Sequence, residues 1–137
     1  MHEWALAEAV ISTVDKVYRE NGRKTVQSVN VLLGEIQSID LEIFNVGLKA
    51  ILADYPFEPE IFHLQIEKAV FRCNYCRKEW LLGDHPDCGE EEREAIHFLP
   101  EAAHVYMRCP FCDSPDFKLM KGRGVSIESI VLESDDD

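Results

Sequence analysis

The sequence lacks the features that mark membrane and secreted proteins. No apolar run approaches the roughly 18 consecutive residues of a membrane-spanning helix. The amino-terminal residues also show no basic segment followed by an apolar stretch, so no signal peptide is expected. The predicted location is therefore the cytoplasm, without membrane association, where reducing conditions favour metal binding over disulfide bonds.

Basic residues are scarce as well. Lys and Arg together number 14 against 26 Asp and Glu, which gives a net charge of −12 at pH 7. Binding to the phosphates of nucleic acid requires clustered positive charge, and no such cluster stands out. The composition therefore favours protein partners or metal ions over DNA and RNA.

Catalytic signatures are missing too. The chain has no phosphate loop, no nucleotide-binding glycine fingerprint, no H-E-x-x-H motif and no convincing nucleophile–base pair. The segment Gly122-Arg123-Gly124 has only two glycines and precedes a predicted strand, so a turn explains it. We therefore predict that the protein is not an enzyme and has no catalytic residues.

What the sequence does contain is a repeated cysteine motif. Cys73 and Cys76 form one C-x-x-C pair, and Cys109 and Cys112 form a second. Two such pairs can hold one tetrahedral ion at about 2.3 Å from each sulfur, which predicts a closed structural zinc site. Two redox disulfides or buried free thiols are the alternative interpretation. Cys88 lies in a polar, acidic stretch and is predicted to be a free thiol or an incidental ligand.

Hydrophobic periodicity predicts an α+β fold in which two helices lie on a three-stranded sheet, with an inserted zinc-ribbon-like domain. The predicted elements are a helix over 4–20, a strand over 25–33, a helix starting after Ser38 or Asp40 and ending before Pro56, a strand over 61–66, a hairpin over 69–82 and a strand over 125–132. Alternation places Val29, Val31 and Leu33 on one face of the first strand, and Phe62, Leu64 and Ile66 on the buried face of the second. Residues 1–68 and 119–137 are assigned to a discontinuous α/β domain, and 69–118 to the zinc domain, with an insertion at 83–103.

The chain begins Met1-His2-Glu3, and a bulky residue at position 2 should prevent removal of Met1. The α-amine of Met1, the deprotonated amide nitrogen of His2 and the His2 imidazole can close two fused chelate rings around one ion. Such planar nitrogen sites favour Ni(II) or Cu(II). The Glu3 amide, the Glu3 carboxylate or a second histidine could complete the plane. An accidental histidine beside the initiator Met is the alternative.

The remaining histidines carry weaker signals. His63 is predicted to be a surface residue on a strand, and His85 either a solvated residue or a ligand beside Cys88. His97 and His104 lie in the insertion, and either could approach the amino terminus. None of the four is assigned a function from the residues alone.

Taken together, several motifs resemble the HypA family. They are Met1-His2-Glu3 at the head of an amphipathic helix, Leu32-Leu33-Gly34-Glu35, the paired C-x-x-C motifs with Cys109-Pro110, and Lys121-Gly122-Arg123-Gly124. This family consists of nickel metallochaperones that mature [NiFe] hydrogenases and, in some bacteria, urease. The resemblance implies an α/β domain that binds nickel, joined to a zinc domain.

The resemblance also implies roles for particular residues. Nickel, the transported ion, would be held by Met1, His2 and Glu3, and structural zinc by the four paired cysteines. The long insertion resembles archaeal members and offers His97 or His104 as an additional nickel ligand, with His97 preferred by position.

The implied partners are a HypB-type nucleotide hydrolase and the large subunit of a [NiFe] hydrogenase, and the oligomeric state is left open between a monomer and a homodimer. A competing hypothesis is a zinc-ribbon module for protein interaction or transcription that binds no nickel. A further alternative is a metal-dependent hydrolase, which would need an open zinc position with bound water.

Overall fold

The computed structural model describes residues 3–37 and 39–134 of the chain. The predicted nickel ligands Met1 and His2 lie outside these ranges. Within them, the α-helices are α1 (Glu3–Glu20), α2 (Leu41–Leu52), α3 (Glu90–Phe98) and α4 (Ala103–Tyr106). The strands are β1 (Val26–Gly34), β2 (Phe62–Glu67), β3 (Val70–Cys73), β4 (Glu79–Leu81), β5 (Phe117–Lys121) and β6 (Val125–Leu132). None of the described helices combines the length and apolar character needed to cross a membrane.

These elements form two compact units, and the predicted α+β fold with a zinc-ribbon-like insertion is confirmed. The helix–sheet unit comprises the described residues of Met1–Leu32, Ile39–Gln65 and Val125–Asp137. The four-cysteine unit comprises those of Leu33–Ser38 and Ile66–Gly124. Residues 119–124, assigned to the α/β domain on sequence alone, fall in the four-cysteine unit because β5 pairs with β3.

The sheet of the helix–sheet unit has the order β2-β1-β6. Hydrogen bonds from Glu133 N to Thr25 O (2.8 Å) and from Gly34 N to Gly124 O (2.7 Å) show that β6 runs antiparallel to β1. The central strand β1 alternates as predicted and buries Val29, Val31 and Leu33 completely.

The expectation for β2 is wrong at Ile66, which is 42% exposed. Phe62, at the start of the same strand, is buried as predicted. Because β2 is an edge strand with one neighbour in the sheet, its side chains are less covered than those of β1.

Helices α1 and α2 pack against each other within this unit. The buried positions Ala7, Val10, Ile11 and Val14 of α1 recur at the i, i+3, i+4, i+7 spacing of a helix face. Asp40 is the N-cap of α2, because its carboxylate accepts hydrogen bonds from the amides of Glu42 (3.0 Å) and Ile43 (3.1 Å). Of the two predicted starts of α2, the structure selects Asp40.

The four-cysteine unit contains the second sheet, in the order β4-β3-β5. Both pairings are antiparallel, and in the first of them Phe71 lies opposite Trp80. The rings of Phe71, Trp80 and Phe117 contact one another with centroids 5.4–6.0 Å apart. These aromatic side chains form the centre of a core that also contains Cys88, Ile96 and Ala103 from the insertion, and Met107 shortly after it.

The insertion is therefore a structural part of this unit. Its acidic residues do form the exposed side of a helix, as expected, but Ile96 on the other side of α3 is fully buried. Cys88, placed in a polar stretch by sequence reasoning, is only 6% exposed. Burial, together with the nearby carboxylates of Glu92 and Asp87, raises the pKa of Cys88 to about 11, so the thiol stays protonated at neutral pH.

Candidate metal centre

The sulfur atoms of the four paired cysteines converge on one point. All four Sγ atoms lie within 4.8 Å of one another. The Sγ atoms of Cys73 and Cys112, and those of Cys76 and Cys109, are 3.6 Å apart. Four sulfurs at about 2.3 Å from a central ion would be separated by about 3.8 Å in a tetrahedron, whereas a disulfide requires about 2.05 Å. The cysteines are free, and their arrangement fits a metal ion.

The two C-x-x-C turns share one backbone conformation. The amide of Cys73 donates to the carbonyl of Lys78, and the amide of Cys109 donates to the carbonyl of Ser114, both at 2.9 Å. In each turn, the residue directly after the second cysteine donates back to the carbonyl of the first. The equivalence of the turns means that each presents its pair of sulfurs in the same way.

Both turns also require a residue in the left-handed region. Arg77 has a φ of 67° and Asp113 a φ of 63°. Side chains other than Gly adopt this conformation at a cost of about 1–2 kcal/mol. Sequence reasoning overlooked both positions, and the only local signal is that each directly follows a C-x-x-C pair.

Hydrogen bonds favour the thiolate form of Cys73. Cys73 Sγ accepts from the amides of Tyr75 and Cys76, both at 3.3 Å, and Cys109 Sγ accepts from the amide of Phe111 at 3.4 Å. Burial raises the pKa of Cys73, but hydrogen bonds from the amides of Cys76 and Tyr75, together with those from the thiols of Cys112 and Cys76, outweigh burial and lower the pKa to about 6. The pKa of Cys112 is raised: the Ser114 amide lowers it, but burial and the contacts with the other three thiols outweigh that effect. Deprotonated cysteine is the form that binds metal.

This centre can bind an ion but leaves no coordination position for a substrate. All four tetrahedral positions are supplied by protein sulfurs, so no position remains for a reactive water. The donor set suits zinc or iron. Exposure varies around the site, since Cys73 and Cys109 are buried, Cys76 is partly buried and Cys112 is exposed.

His85 has a structural role that the sequence did not reveal. Its Nδ1 accepts a hydrogen bond from the amide of Asp87 (3.0 Å), which leaves the proton on Nε2 to donate to the carbonyl of Arg108 (2.7 Å). Arg108 directly precedes the second C-x-x-C pair. Because both ring nitrogens are engaged and the residue is 5% exposed, His85 supports this turn and is neither solvated nor a ligand.

The other histidines differ sharply in environment. His63 is exposed on β2, and the exposed ring of His104 stacks on Phe117 at a centroid distance of 4.2 Å. His97 lies on α3, where both of its ring nitrogens are buried and have no hydrogen-bond partner among the described residues. A buried polar atom without a partner costs about 1–3 kcal/mol, which distinguishes His97 from the others.

At the amino-terminal site, the structure describes only Glu3 of the predicted nickel ligands. Glu3 is the first residue of α1 and is 6% exposed. Its Oε2 accepts a hydrogen bond from the amide of Asp40 at 3.1 Å. Within the helix–sheet unit, this bond ties the beginning of α1 to the N-cap of α2.

The sequence is similar to one protein family along almost its full length. The model of the family described as "Hydrogenase/urease nickel incorporation, metallochaperone, hypA" matches residues 1–132. Similar proteins include the hydrogenase maturation factors HypA of Pyrococcus abyssi, 41% identical with 99% of each chain covered, and of Thermococcus sibiricus, 38% identical with 100% of each covered.

A similar fold is found among solved structures. One match is the solution structure of the nickel metallochaperone HypA from Helicobacter pylori. The match covers 96% of this chain and 97% of the Helicobacter pylori chain, with a TM-score of 0.62. At 17% identity this likeness concerns the fold alone. The family follows from the sequence matches: this chain belongs to the HypA family of hydrogenase maturation factors, which are nickel metallochaperones and not enzymes.

Proposed function

We propose that this protein binds Ni(II) at its amino terminus and delivers it to the large subunit of a [NiFe] hydrogenase during maturation. The observation that carries the proposal is the match to the nickel-incorporation family, which begins at residue 1 and so includes Met1-His2-Glu3. A HypB-type nucleotide hydrolase is the proposed partner in delivery, and the cytoplasm the proposed location.

The proposed nickel ligands are the α-amine of Met1, the amide and imidazole nitrogens of His2, and a donor from Glu3. The carboxylate of Glu3 is buried and bound by the Asp40 amide. The carboxylate is therefore already engaged, which leaves the amide nitrogen of Glu3 or a second histidine as the donor that completes a planar Ni(II) site. A site built from ionised backbone amides can release its ion when the amides are reprotonated.

Nickel titration of tag-free protein tests this site. His2→Ala removes the imidazole, and one additional residue before Met1 displaces the α-amine, so both variants should bind nickel at least tenfold more weakly. His63→Ala, which changes an exposed histidine on β2, serves as the control and should leave the affinity unchanged. Equal affinity in all four proteins would exclude a chelate at the amino terminus.

His97 is proposed as an additional nickel ligand. Its two buried ring nitrogens have no partner among the described residues, so the imidazole retains an unused donor atom. In His97→Ala we expect weaker nickel binding, whereas His104→Ala removes a nearby histidine that stacks on Phe117 and should have no effect. If the two variants bind nickel equally, His97 is not a ligand.

For the four-cysteine centre, we propose structural Zn²⁺. The support is the closed set of four sulfurs, their spacing and the matching conformations of the two turns. Metal analysis of the purified protein should find one zinc per chain, and Cys88→Ala should retain it because Cys88 lies outside the cluster.

A further inference from the structure

Helix α2 has an exposed apolar stripe in addition to the apolar side chains that face the core. Its buried side chains include Phe44, Leu48 and Leu52. A second stripe, at i, i+3 and i+7, consists of Ile43 (45% exposed), Val46 (60% exposed) and the exposed Ala50. The exposed charged residues of α2, Glu42 and Lys49, leave this stripe uninterrupted. Exposed apolar side chains that form a contiguous patch mark a contact surface.

Trp4 of α1 extends the stripe into a broader surface. A Cβ built on Gly47 would lie only 3.0–3.1 Å from atoms of the Trp4 ring, so the indole lies directly over this glycine. Gly in the middle of a helix costs about 1 kcal/mol relative to Ala, and here it provides space for the ring. Trp4 nevertheless remains 49% exposed. We call Trp4, Ile43, Val46 and Ala50 the α2 apolar surface.

An acidic groove adjoins this surface within the helix–sheet unit. The cavity measures about 550 Å³, and both Trp4 and Ala50 line it. Its charged lining residues are Glu8, Asp15, Asp54 and Arg19. Since Arg19 pairs with Asp15 at 3.0 Å, the carboxylates of Glu8 and Asp54 remain in excess. An apolar surface beside uncompensated acidic groups is complementary to a helix that carries an apolar stripe flanked by Lys or Arg.

We propose that the α2 apolar surface docks an amphipathic, basic-flanked helix of a partner protein. The partner's apolar stripe would cover Trp4 and Val46, and its basic residues would face Glu8 and Asp54. This inference rests on the proposed function for its biological meaning, because Trp4 is two residues along the chain from His2. A partner that docks here binds directly beside the proposed nickel ligands in sequence, where delivery would have to be controlled.

The test uses a synthetic amphipathic helix of about 18 residues, which is longer than the 12-residue α2, with leucines on one face and lysines on the other. A second peptide replaces every lysine with glutamate. The protein has two tryptophans, and Trp80 is 6% exposed in the other unit, so a shift in emission reports mainly on Trp4. The lysine peptide should shift the emission to shorter wavelength and bind at least tenfold more tightly than the glutamate peptide.

Variants locate the binding surface. Trp4→Phe should abolish the spectral shift, and Val46→Arg should weaken binding at least tenfold by placing a cation within the apolar surface. Val131→Arg is the matched control, since Val131 is 43% exposed on β6, and it should bind like the parent. Equal binding of the two peptides, or unchanged binding by Val46→Arg, would refute the proposal.

Two further results would assign the surface to another occupant and so overturn the proposal. One is self-association in sedimentation experiments that Val46→Arg abolishes, which would indicate a second copy of the chain. The other is the same spectral shift with phosphatidylglycerol vesicles. Nickel titrations of the parent and of Val46→Arg separate this inference from the proposed function. If the parent does not bind nickel, the proposed function fails, whereas peptide binding is unaffected. Val46→Arg should bind nickel with the same affinity as the parent.

Discussion

The two units bury their interiors by different means. In the helix–sheet unit, the eight- and nine-residue strands β6 and β1 belong to a sheet accompanied by two helices, and the core is mainly aliphatic. In the four-cysteine unit, the strands have three to five residues, and the core combines three aromatic rings with the metal-binding sulfurs. Short strands alone bury too little apolar surface to fold independently. We therefore expect that the four-cysteine unit requires bound metal to stay folded and that the helix–sheet unit does not.

Loss of the metal should have the largest effect and should be confined to one unit. Cys109→Ser, or removal of the proposed zinc by a chelator, should take away a stabilisation on the order of 10 kcal/mol, which is typical of a structural zinc site. We expect the amides of Phe71 and Trp80 to lose protection in hydrogen exchange, whereas those of Val29 and Val31 keep theirs. Cys88→Ala is the control and should keep both sets protected. Simultaneous loss of protection in both units would contradict the comparison.

A core substitution in the helix–sheet unit should show the opposite pattern. Phe44 is fully buried on α2, and Phe44→Ala should lower the free energy of unfolding by about 3–5 kcal/mol through lost burial and a cavity. Zinc content and the protection of Phe71 should not change. The neighbouring Ile43 is 45% exposed, so Ile43→Ala should change stability by less than about 0.5 kcal/mol. A loss of zinc in Phe44→Ala would show that the units are not independent.

A close approach between backbones gives a third prediction, within the four-cysteine unit. A Cβ on Gly34 would overlap the backbone of Gly122, where the amide of Ile36 donates to the Gly122 carbonyl at 2.9 Å. Gly34→Ala should therefore lower the free energy of unfolding by about 3 kcal/mol, which thermal unfolding would measure. Gly22 has a φ of +70° but no neighbour within 4 Å, so Gly22→Ala should cost only about 1 kcal/mol. Equal losses of stability in Gly34→Ala and Gly22→Ala would mean that the backbone contact between Gly34 and Gly122 relaxes without strain.

Features that depend on neighbouring residues in the sequence were predictable. The periodicity of residues 4–20 located α1 to within one residue, and Asp40 was recognised as one of two starts for α2 because an N-cap acts over three positions. Alternation identified the buried face of β1. The C-x-x-C pairs predicted the cluster of sulfurs, because each pair presents two ligands from one turn.

Features that depend on distant contacts were not predictable in the same way. Nothing near Leu119 indicates that it lies opposite Phe71, so β5 could not be assigned to the second sheet. The burial of Cys88 follows from side chains brought over it by the fold of the insertion. His85 likewise meets the carbonyl of Arg108 across 23 positions of sequence. In each case the contacting residue is distant in the sequence, and a single sequence does not show which distant segments lie next to each other.

The smallest predicted effect compares the two C-x-x-C turns themselves. Arg77 and Asp113 occupy equivalent left-handed positions, which Gly adopts without steric cost. Arg77→Gly should raise the stability of the zinc-bound protein by up to about 1 kcal/mol, because relief of strain exceeds the added entropy of the unfolded chain. Asp113→Gly should gain less, since Asp tolerates this conformation better than Arg. Thermal unfolding with zinc bound measures both, and a larger gain at Asp113 would show that the turns, despite their common hydrogen bonds, are strained differently.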